Sequence, residues 1–293
     1  MSHDVLEQHP YLNEINYNRL NENYFEGLIV GTFPVWDITD TVLPNGQVNQ
    51  HAFNGNNAYM RFFYGSKINV FWDLLSNSFA PAANPVSAAN PQLCKQVAIN
   101  LLIENKLLIT DVFFKTNRRE KKAEDQHLWI DTTNQYVLNN RSLNNGINNL
   151  LNYNKSIKYL FFTAPDIIGK CPFGKFREIF NDRLAYQIVS IINGRVWSVK
   201  ITINDRDYVG FLLPSPAGKG TRGIHYGAQQ QLQMFINYIC TVSPVFWLQI
   251  QGKNPANLTT IQKNQIKILR KSFLERCWWE AFRNNNTQFN GSI

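Results

Sequence analysis

Three short segments of this chain gather residue types that can stack on a flat ring, hold phosphate or take up a proton. The first is Gly31-Thr32-Phe33-Pro34-Val35-Trp36-Asp37. Gly31 permits close backbone approach and Pro34 stiffens the turn. Phe33 and Trp36 offer ring faces for a base, and Asp37 is a carboxylate delivered by a strand end. The second runs from Phe63 to Trp72. Phe63 and Tyr64 would wall a flat ligand, and Lys67 adds positive charge. Asn69 either caps the helix opened by Phe71 and Trp72 or uses its amide to read a base edge or hold a water. The third runs from Leu212 to Gly223 and is rich in Gly and Pro. Its Ser215, Lys219, Thr221 and Arg222 can contact phosphate, as can backbone amides near the next helix start. Here Gly218-Lys219 is followed by Gly220 where a P-loop needs Ser or Thr, which argues against nucleoside triphosphate hydrolysis. Each segment also has a plainer reading: a strand-to-loop transition with core aromatics, a helix cap, and a surface loop.

The elements that must carry these segments are legible as apolar runs. Leu28–Phe33, Leu107–Phe114, Ile157–Phe162 and Tyr208–Leu213 are apolar on both faces, the pattern of buried parallel strands. Val196–Ile203 reads as a further strand, which Asn204-Asp205 turns back into the fourth run as a hairpin. Helical stripes fall between the runs: Leu93, Val97 and Leu101; Leu143, Ile147 and Leu150; Phe176, Ile179 and Leu184; Leu232, Phe235, Ile236 and Ile239. Alternating strands and helices predict an α/β fold, a three-layer α/β/α sandwich with a mostly parallel central sheet. Ligands of such sheets bind beyond the carboxyl ends of the strands, at the loops beginning Pro34, Lys115, Pro165 and Pro214. Residues 1–243 form this domain, with residues 1–26 as an N-terminal extension carrying a short helix. Residues 244–293 read as a basic helical extension packed on it, through Ile266, Leu269, Phe273 and Cys277.

Bulk composition narrows the partners. A net charge of +8, from 29 Lys and Arg against 21 Asp and Glu, favours a polyanion such as nucleic acid. No apolar stretch is long enough for a membrane helix, and the polar Met1-Ser2-His3-Asp4 start does not resemble a signal peptide. Cys94, Cys171, Cys240 and Cys277 lie far apart, so free thiols in a reducing compartment are expected, without a metal site. Asparagine is abundant around 139–154 and 284–290, and carries no functional conclusion at this level.

Taken in order, these segments resemble the uracil-DNA glycosylase superfamily, nearest to its mismatch-specific uracil and hypoxanthine branch. That family places Gly-Ser/Thr-Phe-Pro-Gly after a strand; this chain has Gly31-Thr32-Phe33-Pro34 followed by Val35. Asn69, Phe71 and Trp72 match its next motif, with Ser66-Lys67-Ile68 replacing His-Pro-Arg. Ile109-Thr110-Asp111-Val112 is similar to its middle strand, with Asn117 to Asp125 as the polar loop that follows. Leu213-Pro214-Ser215-Pro216-Ala217 is similar to a shortened form of its last motif. The resemblance spans roughly residues 27–240. It implies hydrolysis of the N-glycosidic bond of a deaminated, damaged or modified base flipped out of DNA, in repair or in defence against modified foreign DNA. In that reading Phe33 and Tyr64 sandwich the base. Asp37 is the carboxylate near the sugar, with Asp111 as the alternative. Asn69 positions water or base, and Lys219 and Arg222 grip phosphates. DNA is the partner, no cofactor or metal is needed, and the protein acts as a cytoplasmic monomer. Its departures, Val35 above all, leave open a DNA-binding relative that has lost catalysis. Turnover of a small nucleoside or ester and RNA binding are further alternatives.

Overall fold

The computed structural model describes residues 5–12, 24–34, 39–50, 60–66, 69–79, 91–118, 142–164, 172–192, 195–216 and 233–289. The apolar runs form a six-stranded sheet. Strand β2 (Gly27–Gly31) lies between β5 (Leu107–Asp111) and β8 (Tyr159–Phe162), parallel to both. Strand β11 (Arg206–Leu212) continues the parallel set beside β8. Leu28, Ile29 and Val30 are wholly buried, as a strand covered on both faces requires. The hairpin expected at Asn204-Asp205 joins β10 (Arg195–Ile203) antiparallel to β11. Both turn residues have left-handed backbone, φ 47° and 60°, as a tight twisted hairpin demands.

Two strand boundaries differ from the sequence reading. Leu184 does not end a helical stripe. The helix stops at Asn181, and Leu184 opens β9 (Leu184–Ile192), an antiparallel edge strand on β10. The apolar run 107–114 is also not one strand. Val112 breaks it, and Phe113–Arg118 becomes β6 of a second, antiparallel sheet. That sheet has the order β4-β3-β1-β6-β7, built from β1 (Val5–Gln8), β3 (Asp40–Val42), β4 (Val48–Gln50), β6 and β7 (Ser142–Leu143). Within the N-terminal extension residues 5–8 are a strand, and most of the remaining stretch that could carry the expected short helix, residues 13–23, lies outside the described residues. Pairing with β3 and β6 decides the strand, since four residues carry little intrinsic preference.

Seven α-helices lie among the described residues: α1 (Phe71–Phe79), α2 (Pro91–Glu104), α3 (Gly146–Tyr153), α4 (Phe173–Phe180), α5 (Gln233–Val242), α6 (Pro244–Ile250) and α7 (Thr260–Phe282). In α2 the buried stripe is Cys94, Ala98, Leu101 and Leu102. Leu93, placed on the inner face by spacing, is 58% exposed, because the helix is rotated by about one residue. Leu143, assigned to the next stripe, belongs to β7. Helix α7 opens with a capping box, the Thr259 hydroxyl accepting from the Gln262 amide while Gln262 accepts from Thr259 N–H.

Successive residues of a strand face opposite sides of a sheet. In β8 the Phe161 ring stacks on Phe282 of α7 at 4.0 Å, and the Phe162 ring meets Phe173 and Phe176 of α4 edge-on. Helices thus cover both faces at the centre of the sheet. Helix α7 also contributes Ile266, Leu269, Phe273, Leu274, Cys277 and Trp278 to the same hydrophobic cluster as the strands. No helix among the described residues is long and apolar enough to cross a membrane.

Candidate functional site

The carboxyl ends of β2, β5, β8 and β11 point to one edge, and the chain changes direction around β2: β5 joins on one side, β8 on the other. Such a reversal opens a crevice at the strand ends. The second segment lies across it. Its turn is held by Gly65 N–H donating to Phe62 O at 3.1 Å. Any side chain at Gly65 would strike Met60 O, which explains the glycine there. Tyr64, just before this glycine, has φ 54°, a left-handed conformation that costs a non-glycine residue of order 1 kcal/mol or more. This turns its ring flat onto Phe71, centroids 4.1 Å apart and planes at 6°, and brings its hydroxyl 2.9 Å from Thr163 Oγ1 at the end of β8.

Gly31 and Asp111 are register partners at the ends of β2 and β5. A Cβ placed on Gly31 would lie 2.1 Å from both Asp111 Oδ1 and the Tyr64 hydroxyl, so these two polar atoms converge over the bare glycine. Asp111 is only 4% exposed. Its Oδ2 lies 2.9 Å from His9 Nε2. The other imidazole nitrogen, Nδ1, accepts the backbone N–H of Tyr11 at 3.1 Å, so it carries the lone pair and Nε2 carries the proton that is donated to Asp111. Oδ1 is buried and has no hydrogen-bond partner among the described residues. A buried carboxylate oxygen without a donor is costly, of order 1–3 kcal/mol or more, and asks for a reason.

Asn144 supports the same strand end. Its side-chain amide donates to Thr110 Oγ1 at 3.0 Å and to Asp111 O at 2.9 Å, and its own N–H donates to Val112 O at 2.8 Å. The imidazole of His9 is packed among Phe33, Phe63 and Tyr11, with centroid separations of 5.9, 4.8 and 5.8 Å. This is a buried, largely aromatic enclosure in which the polar contacts gain strength.

The sequence candidates fall into four groups. Asp111, Tyr64 and Phe33 meet at the Gly31 edge. Asn69 and Ser215 lie on the adjoining stretch, where Val70 N–H donates to Pro216 O at 3.0 Å and ties the second segment to the third. Asn69 Oδ1 accepts from Phe71 N–H at 2.9 Å at the mouth of α1, so its oxygen serves the helix start and its amide nitrogen is the group it can offer elsewhere. Phe63 is a core residue, 1% exposed and enclosed by His9, Tyr11 and Phe62, and does not wall an open pocket in this conformation. Trp36, Asp37, Lys67, Lys219, Thr221 and Arg222 lie outside the described residues.

His9, Thr163 and Asn144 were not singled out by sequence. Thr163 had a signal, as the first residue past a strand end. Asn144 sat in a tract set aside as compositional. His9 had none, because nothing local links an N-terminal His-Pro to a strand 102 residues away. Among the described residues no three His, Cys, Asp or Glu side chains gather as a metal site. Comparison with known family models, with curated proteins and with solved structures gives no match.

Proposed function

We propose that this chain hydrolyses the N-glycosidic bond of a deaminated, damaged or modified base flipped out of DNA, on a three-layer α/β/α sandwich of the uracil-DNA glycosylase type. The observation that supports this most is Asp111 at the carboxyl edge, with one oxygen held by His9 and the other converging with the Tyr64 hydroxyl over Gly31. Cleavage leaves the sugar cation-like, and a fixed carboxylate in a low-dielectric site stabilises that charge. In the reaction a water oxygen bonds to C1′ while the C1′–N pair leaves with the base. The water proton passes to Asp111 Oδ1 and then to the departing base, leaving an abasic site. Asp111, of the two carboxylates Asp37 and Asp111, is the one that acts in this reaction. Asn69 contacts base or water through its amide nitrogen. Lys67, Lys219, Thr221 and Arg222 hold phosphates, and the net charge of +8 draws in the DNA. The protein acts as a cytoplasmic monomer.

The test is incubation with duplexes carrying uracil, hypoxanthine, a thymine mismatch or modified cytosines, with alkali-revealed strand breaks reporting abasic sites. Breaks are expected on at least one duplex, reduced about 10²–10⁴-fold by Asp111→Asn. A second reading, a DNA-binding protein without catalysis, draws on the closure of the site, where Asp111 and Phe63 are both buried. Salt-sensitive DNA binding with no breaks on any duplex would select it.

A further inference from the structure

We infer that His9 is the positioning residue of Asp111, so that the N-terminal strand is a working part of the site. The inference rests on the reading of Asp111 as the proposed carboxylate. Three contacts carry it. Strand β1 pairs with β6, the direct continuation of β5 past Val112, and His9 N–H donates to Phe114 O at 2.9 Å. This sets the imidazole beside the residue that ends β5. The Tyr11 N–H at Nδ1 then admits one neutral tautomer, with the proton on Nε2 and aimed at Asp111 Oδ2. In the other tautomer two hydrogens would meet at Nδ1, and Oδ2 would lose its donor inside the enclosure of Phe33, Phe63 and Tyr11.

The consequence is a directed carboxylate. Oδ2 is occupied and its torsion is held, so Oδ1 is the single oxygen presented over Gly31. A proton donor at the site, the attacking water in the proposed reaction, meets one acceptor in one orientation. Misplacing a reacting group by about 1 Å can cost about 100-fold in rate without weakening binding. The strand thereby couples the second sheet to the chemistry of the first.

The test compares His9→Leu, which removes both imidazole bonds, with His9→Gln, whose side-chain N–H can donate to Asp111 and whose oxygen can accept from Tyr11. The readouts are kcat and KM for abasic-site formation, and the ¹⁵N shifts of His9 in the wild type and in Asp111→Ala. Expected are a protonated Nε2 and an unprotonated Nδ1 in the wild type, with the Nε2 proton moving upfield in Asp111→Ala. His9→Leu lowers kcat about 100-fold with KM nearly unchanged, and His9→Gln recovers most of it. A Nδ1-protonated or exchanging ring overturns the inference, as does a folded His9→Leu protein with wild-type kcat or a His9→Gln protein no better than His9→Leu. A wild type that opens no abasic sites defeats the proposed function instead, and the ¹⁵N pattern then decides the His9–Asp111 geometry by itself. Near-ultraviolet circular dichroism establishes that each variant is folded.

Discussion

Asp111 lies directly over its register partner Gly31, so close that a methyl group on Gly31 would stand 2.1 Å from Oδ1. Gly31→Ala must push aside both this carboxylate and the Tyr64 hydroxyl. The expected loss of stability is about 1–3 kcal/mol, as for other overpacked sites. Urea denaturation measures it, and the abasic-site assay should show activity abolished even where the protein remains folded. An unchanged urea midpoint would mean that the two side chains have room to retreat.

The hydroxyl pair Tyr64–Thr163 bridges the second segment to the end of β8. Tyr64→Phe keeps the stack on Phe71 and removes only the bridge, at an expected cost of about 1 kcal/mol. Thr163→Val removes the same bond from the other side. Their effects should therefore fall short of additivity in a double-mutant cycle, and strict additivity would show that the bridge carries no energy.

Helix α7 is predicted to be indispensable for folding. Trp278 is fully buried, meets Phe71 edge-on and donates to Pro214 O at 3.3 Å, so it joins α1, the third segment and the core. Trp278→Ala should destabilise by about 3–5 kcal/mol. A chain ending at residue 243 should lack a cooperative thermal transition in calorimetry. A sharp transition in that truncated chain would make residues 244–293 an appendage.

Cys277 lies deep under α7, and burial, reinforced by nearby Glu280, pushes its thiol well above the ordinary value of 9.0. Thiolate is the reactive form, so wild type and Cys277→Ser should react equally with a thiol reagent in native buffer at pH 8 and differ by one equivalent in guanidinium. The native thiol holds its proton to higher pH than the unfolded one. Its contribution to stability is accordingly present below about pH 9 and is lost as pH rises beyond it. A pH titration of the urea midpoint in the two proteins measures that loss.

Much of the central sheet was readable because its strands are buried on both faces and so must be apolar throughout, as Leu28-Ile29-Val30 and Leu160-Phe161-Phe162 are. Asn204-Asp205 specified its hairpin because short polar side chains tolerate left-handed backbone. The helical stripes of α4 and α7 were readable for a different reason, the 3.6-residue spacing that one-sided burial imposes. Strand β9 was missed although Tyr186-Gln187-Ile188-Val189-Ser190-Ile191-Ile192 is rich in β-branched residues, since the preceding helical stripe was carried on to Leu184. Two tracts dismissed as asparagine-rich proved to contain structural amides: Asn144 at the end of β5, and Asn286, whose side chain donates to buried Glu280 while its carbonyl accepts from Trp197.

By itself the amino-acid sequence determined an α/β chain with a mostly parallel sheet, and it marked Gly31, Asp111 and Ser215 as residues near strand ends and Tyr64 as a ring for a flat ligand ahead of a helix. Those are consequences of local periodicity and of which residue types can be buried. Tertiary structure alone decided that the run 107–114 splits between two sheets at Val112, that residues 5–8 are a strand, and that His9 meets Asp111. Strand pairing joins segments about a hundred residues apart through backbone groups that every residue possesses, so it leaves no mark in the local order of side chains.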